Sequence, residues 1–215
     1  PKGQPNHDHR RLFKELKAFL KGIKAANNWN PEYVKSTIKS ILNHHIGSPP
    51  TQFKWKGKTY TPKQFYKNYM KLDMDNYVTF LSYLQKPYYQ QVEYQVPDNW
   101  WHDATYYNIP LDVFMNTLKK VVKAGYTVSI GGDVSEPGYQ AVAEVGVVPE
   151  FDIPSQYINE HSRQFRFSNK TTTDDHSIHI VGYRVVDGQY WFVIKDSGSG
   201  ARNGIHVGYR FIHED

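Results

Sequence analysis

The 215 residues include no cysteine. This excludes disulfides and Cys-ligated zinc, and it leaves the chain without a thiol nucleophile of its own. No apolar run approaches the ~20 residues that span a bilayer. No charged start, apolar stretch and cleavage site opens the sequence, so no signal peptide is visible. The first residue is Pro1 rather than Met, and the natural start is expected upstream. Internal repeats, low-complexity tracts and clear linkers are also missing.

What is present fits a folded chain. Apolar residues make up 39% and aromatic residues 15% of the sequence, too many for a disordered segment. Seventeen Tyr and eleven Phe predict a core and clefts rich in rings. The net charge of +5 permits weak attraction to nucleic acid. However, Lys14, Lys17, Lys21, Lys24, Lys35 and Lys39 are scattered along helices rather than massed. A mildly basic surface is the better reading, and nucleic acid is not expected as a partner.

Along the chain, Leu12, Phe13, Leu16, Phe19, Leu20 and Ile23 recur at helical spacing from about Arg10 to Ala26. Asn30 followed by Pro31 reads as the cap and first residue of a second helix. Phe53 to Tyr60 reads as a hairpin turning at Lys56-Gly57-Lys58, and Thr61-Pro62 opens a short helix. Pro110 opens another, with Leu118 and Val122 inward and Gly125 as its stop. Strands are expected over 127–130, 177–184, 190–195 and 206–212, with Asp187-Gly188 as a type I′ turn. Helices first and an antiparallel sheet last argue an α+β fold. The expected division is a mostly helical part, 1–125, and a β-rich part, 126–215, integrated into one catalytic domain.

The chemistry-bearing candidates are His176 and Asp196. A histidine base needs a partner on its second ring nitrogen to fix its tautomer and orientation. Asp196, at the end of the hairpin's second strand, is placed to reach back to His176. On pattern alone, a structural histidine at a strand start is favoured. Asp175 reads as a solvated or turn residue. His176 and His179 lie three apart in a strand, on opposite faces, and so do not share a metal ion. His7 and His9 lie in a polar terminus where metal binding is not expected. Gly131-Gly132-Asp133 reads as a tight turn at a strand end, and Gly198 to Gly204 as a flexible loop rather than a ligand cradle. No cofactor and no metal are expected.

The segments Asp175-His176, Ile178-His179-Ile180-Val181-Gly182-Tyr183 and Val193-Ile194-Lys195-Asp196-Ser197 resemble the His and Asn strands of the papain superfamily. There the second motif reads Lys-Asn-Ser-Trp-Gly. Pro49-Pro50-Thr51-Gln52-Phe53-Lys54-Trp55, Thr61 to Tyr66, Tyr107 to Asp112 and Gly125 to Val134 resemble the bleomycin hydrolase and aminopeptidase C branch. The similarity covers about residues 10 to 212, and the shared order of the motifs gives it weight. It reverses the odds on His176.

The resemblance implies a two-lobed papain-like fold. A helical lobe bears the nucleophilic Cys, preceded by a Gln of the oxyanion hole, and a β-rich lobe bears His and Asn. The Cys and Gln segment lies N-terminal to everything matched here. Two positions depart from the family: the usual Asn is Asp196 and the usual shielding Trp is Gly198. Asp196 can accept the imidazole hydrogen bond as Asn does. Loss of the Trp leaves the pair wetter.

Three functions stay open. The first is the C-terminal portion of a cysteine aminopeptidase or exopeptidase acting on peptides, with His176 as base and Asp196 as orienter. The second is a catalytically dead relative that binds peptides or a partner, and the third is a basic nucleic-acid-binding domain. Under the first, removal of the Cys-bearing segment leaves an apolar face. That face either keeps the segment bound or pairs with a second copy. The resemblance favours a cytoplasmic location, with a secreted or periplasmic one left open. No membrane association is expected.

Overall fold

The computed structural model describes residues 8–149 and 154–215. His7, where metal binding is not expected, lies outside them. The chain divides into two compact units, with the boundary between Met74 and Asp75.

The first unit begins with α1 (His9–Ala26), capped by Asp8, whose carboxylate accepts the Arg10 and Arg11 amides at 3.1 and 3.3 Å. Asn27, in the left-handed region at φ 49°, ends it. Asn30 caps α2 (Pro31–Ile46) by accepting the Tyr33 amide at 3.0 Å, and Pro31 takes the first turn as expected. The two helices bury Ile23 and Ile41 and set the Phe19 and Tyr33 rings edge to face. β1 (Phe53–Trp55) and β2 (Lys58–Tyr60) pair antiparallel. Their turn residues Lys56 and Gly57 both have positive φ, as a type I′ turn requires. A capping box between Thr61 and Gln64 starts α3 (Pro62–Gln64). The helix then widens into π-helical turns over Phe65–Met70, which stack Phe65 on Tyr69 at 4.6 Å.

The second unit holds two sheets. β3 (Phe80–Leu81), β4 (Gln90–Val92) and β5 (Tyr106–Asn108) form a small one in the order β3-β5-β4. The fully buried Asn108 side chain locks the loops around it. It donates to the carbonyls of Tyr83, Lys86 and Pro87 and accepts the Tyr83 amide. Next come α4 (Leu111–Lys123), β6 (Val128–Gly132), β7 (Tyr139–Gln140), β8 (Val145–Gly146), α5 (Glu160–Ser168), β9 (His176–Val186), β10 (Gln189–Lys195) and β11 (Tyr209–His213). The six strands are ordered β6-β9-β10-β11-β8-β7. Asp187 and Gly188, both at positive φ, make the tight turn between β9 and β10. One face of the sheet carries the core: Ile178, Ile180, Phe192 and Ile194 pack against Leu118 and Val122 of α4. Each such side chain stabilises the fold by about 2 kcal/mol when fully buried.

Several expectations change. The compact units do not divide at 125/126, because α4 gives its apolar face to the sheet and so belongs with it. The sheet is not purely antiparallel, since β11 and β8 run parallel. β11 starts at Tyr209 rather than His206. Gly131 and Gly132 are inside β6, paired with Ser177 and His176, and the turn begins only at Asp133. Among the described residues, no helix is long and apolar enough to cross a membrane.

Candidate active site

β9 and β10 place the two predicted residues together. His176 opens β9 on the same face as Ile178 and Ile180, and Asp196 follows the last residue of β10. His176 Nε2 lies 2.6 Å from Asp196 Oδ1. This bond fixes the tautomer and leaves Nδ1 as the nitrogen that can face a reacting group. His179 sits on the opposite face and is exposed, in line with the alternation argument.

Asp196 is otherwise well held. Its side chain is only 4% exposed. Oδ1 also accepts the Gly198 amide at 2.8 Å, and Oδ2 accepts the Tyr139 hydroxyl at 3.1 Å. Burial pushes this carboxyl up, but the Gly198, His176 and Tyr139 hydrogen bonds outweigh it and hold Asp196 below the ordinary carboxylate value. The sequence reading missed Tyr139. No spacing links it to Asp196, and only the fold brings β7 beside the end of β10.

Two hollows lie near the pair, one on the face of His176 and one on the face of His179. One of about 310 Å³ is lined by His176 with Pro97, Asp98, Asp174, Asp175 and Ser177. The other, about 390 Å³, is lined by Asp196 with Ser129, Ser177, His179, Lys195 and Ser197. The first is acidic. Burial, with help from Asp98 and Asp175, pushes the Asp174 carboxyl up, while a hydrogen bond from Tyr94 opposes the rise. Asp175 is exposed and accepts the amide of the distant Val134 at 3.2 Å. Asn99 ties the loop bearing Pro97 and Asp98, donating to the carbonyls of Tyr94 and Asp103 and accepting the Asp103 amide.

Comparison with known proteins bears on family and fold. Residues 7–191 match the Peptidase C1-like family. No curated protein matches the chain. Among solved structures, PepW from Lactobacillus rhamnosis HN001 (DR20) superposes with a TM-score of 0.61 at 18% identity, a likeness of fold. The match covers 94% of this chain and 50% of that one, so the chain spans half the length of that structure. With its α+β architecture and the family matched over most of its length, the chain belongs to the Peptidase C1-like family, the papain-like group of cysteine peptidases.

Proposed function

We propose that this chain supplies the histidine and carboxylate half of a papain-like cysteine peptidase of the aminopeptidase C or bleomycin hydrolase type. The nucleophilic thiol comes from a segment outside these 215 residues. The observation that carries the proposal is the His176–Asp196 bond through Nε2, with Nδ1 left for a thiol. The lack of any cysteine then requires the nucleophile to come from elsewhere. In the reaction, His176 takes the thiol proton and pairs with the thiolate. The thiolate attacks the scissile carbonyl, and the imidazolium gives its proton to the leaving amine. Water, deprotonated by His176, then releases the acid and restores the thiol. Asp196 orients His176 throughout. Peptide substrate binds along the hollow lined by His176.

The test is a peptidase assay with aminoacyl fluorogenic substrates. The 215-residue chain alone should give no turnover. The chain extended by its upstream coding sequence should give turnover that is blocked by iodoacetamide and lost in His176→Ala. His176-dependent turnover by the 215 residues alone would overturn the proposal. A second reading is a catalytically dead binding module, favoured by Asp196 and Gly198 standing where the family has Asn and Trp. An upstream coding sequence without a Gln followed by Gly-x-Cys-Trp would make it the better account.

A further inference from the structure

We propose that Tyr139 is the positioning residue of this site. It ties down Oδ2 of Asp196 so that Oδ1 faces His176, and it stands in for the aromatic shield that the sequence lacks at position 198. The proposal rests on reading His176 and Asp196 as base and orienter.

A carboxylate turns easily about its last bond, because that torsion has broad minima. An orienter bonded through one oxygen alone would swing. Here both oxygens are engaged. Oδ1 accepts His176 Nε2 and the Gly198 amide, and Oδ2 accepts the Tyr139 hydroxyl. Rotating the group breaks bonds on both sides at once.

Position 198 carries no ring, and a side chain there would crowd the carboxylate. A Cβ built on Gly198 would lie 3.2 Å from Asp196 Oδ1, close enough that the carboxylate would have to give by a few tenths of an ångström, and 3.4 Å from Oδ2. The aromatic ring at the carboxylate comes instead from β7, as Tyr139.

The seat of that ring is built for it. A Cβ on Gly138 would lie 1.8 Å from the Val147 carbonyl oxygen, so only glycine lets the chain reach Tyr139 by this path. A Cβ on Gly146 would press the ring edge at 3.1 Å. On one face of the ring lies the Arg210 guanidinium, 5.3 Å from the centroid. Arg210 is 0% exposed and held by the carbonyls of Ala141 at 2.7 Å, Gln140 at 3.4 Å and Gly200. A cation over the ring draws density from the phenol and makes its O–H a better donor. Burial and the Asp196 charge push the Tyr139 hydroxyl up to about 12, so it remains a donor across the physiological range.

The test uses the 215-residue chain, isotopically labelled, and NMR, because no turnover is needed. Tyr139→Phe keeps the ring, its glycine seat and its contact with Arg210, and removes only the hydroxyl. The Asp196 carboxyl should then titrate at higher pH than in the unaltered chain, having lost a donor. The ring ¹⁵N signals of neutral His176 should move from the Nε2-protonated pattern toward a mixture of tautomers. Unmoved Asp196 and His176 signals in a folded Tyr139→Phe chain would overturn the proposal. If that variant does not fold, the bond is read from its other end in Asp196→Asn. The Tyr139 titration, followed through Cζ, should fall, and an unmoved midpoint overturns the proposal equally. The unaltered chain separates the two levels of the argument. If it lacks the Nε2-protonated pattern, the His176–Asp196 pair and the peptidase reading fail first. If it has the pattern and Tyr139→Phe is silent, only the role of Tyr139 fails.

Discussion

Asp196 meets His176 because β9 carries one extra residue. Val193 pairs with Gly182, but the next residue, Ile194, pairs with Ile180, so Val181 is bulged out of the ladder. Opposed residues in an antiparallel pair share a face. Beyond the bulge, the even-numbered residues of β9 therefore face the same way as Ile194 and Asp196. Without it, the one-residue slip would turn His176 to the other face, along with Ile178 and Ile180. The same irregularity thus aligns the core and the candidate site.

Removing the Asp196 side chain should cost stability as well as function. In Asp196→Ala, the half-buried Gly198 amide and Tyr139 hydroxyl lose their acceptor, which predicts a loss of about 2 kcal/mol. Asp196→Asn restores the family residue and keeps one accepting oxygen, so its loss should stay under about 1 kcal/mol. Urea unfolding of both variants checks this. Equal losses would mean that the hydrogen bonds at Asp196 add little.

Ile194 is fully buried in the core beneath the site, whereas Ile205 is 90% exposed. Ile194→Ala should cost about 3 kcal/mol through lost burial and the cavity left behind. Ile205→Ala should change stability by less than about 0.5 kcal/mol. Because Ile194 is two residues before Asp196, Ile194→Ala should also broaden the His176 ring signals, and Ile205→Ala should not.

The sequence was legible where structure is set locally. Asn30 caps its helix through its own side chain, Asp187-Gly188 allows few backbone conformations, and alternation put His176 and His179 on opposite faces. It was opaque where distant segments decide. β7 and β8 have two residues each, and their pattern carries no period. β8 joins β11 in parallel across more than sixty residues. α5 is mostly polar, and its capping box uses Ser162 in place of the more usual Glu or Gln. The expected boundary near 125 followed a local change from helix to strand, but the apolar face of α4 settles the matter by packing on the sheet. Tyr139 belongs to the same class, since nothing within its own segment points to Asp196.

Acid should destabilise the chain partly through Glu160. This carboxylate accepts the Tyr88 hydroxyl at 2.7 Å, the Leu111 amide at 2.8 Å and the Ser82 hydroxyl at 3.3 Å. Burial raises it, yet these bonds and Arg163 hold it below the ordinary Glu value. A depressed carboxyl contributes stability above its unfolded value, and that contribution is lost as pH falls through the folded one. Glu160→Gln should therefore destabilise the protein at neutral pH by about 1 kcal/mol and flatten the decline of stability below about pH 4. A parallel decline in both proteins, followed by urea unfolding across pH, would exclude Glu160 as a contributor.

Asp174 should behave in the opposite sense. It lies beside His176 in the acidic hollow. Burial, Asp98 and Asp175 raise its carboxyl against the hydrogen bond from Tyr94. A raised carboxyl favours the folded state while it is protonated, and that advantage disappears as pH rises through the folded value. At neutral pH the ionised Asp174 is then a cost. Asp174→Asn removes the charge and keeps an oxygen for Tyr94, so it should stabilise the chain at neutral pH by on the order of 0.5 kcal/mol. The gain should shrink as the pH is lowered into the carboxylate range, where the unaltered residue is itself protonated. Added salt should shrink it as well, because Asp98 and Asp175 are exposed and their repulsion is screened. A variant less stable than the parent at neutral pH would show that the ionised Asp174 is instead matched to its surroundings.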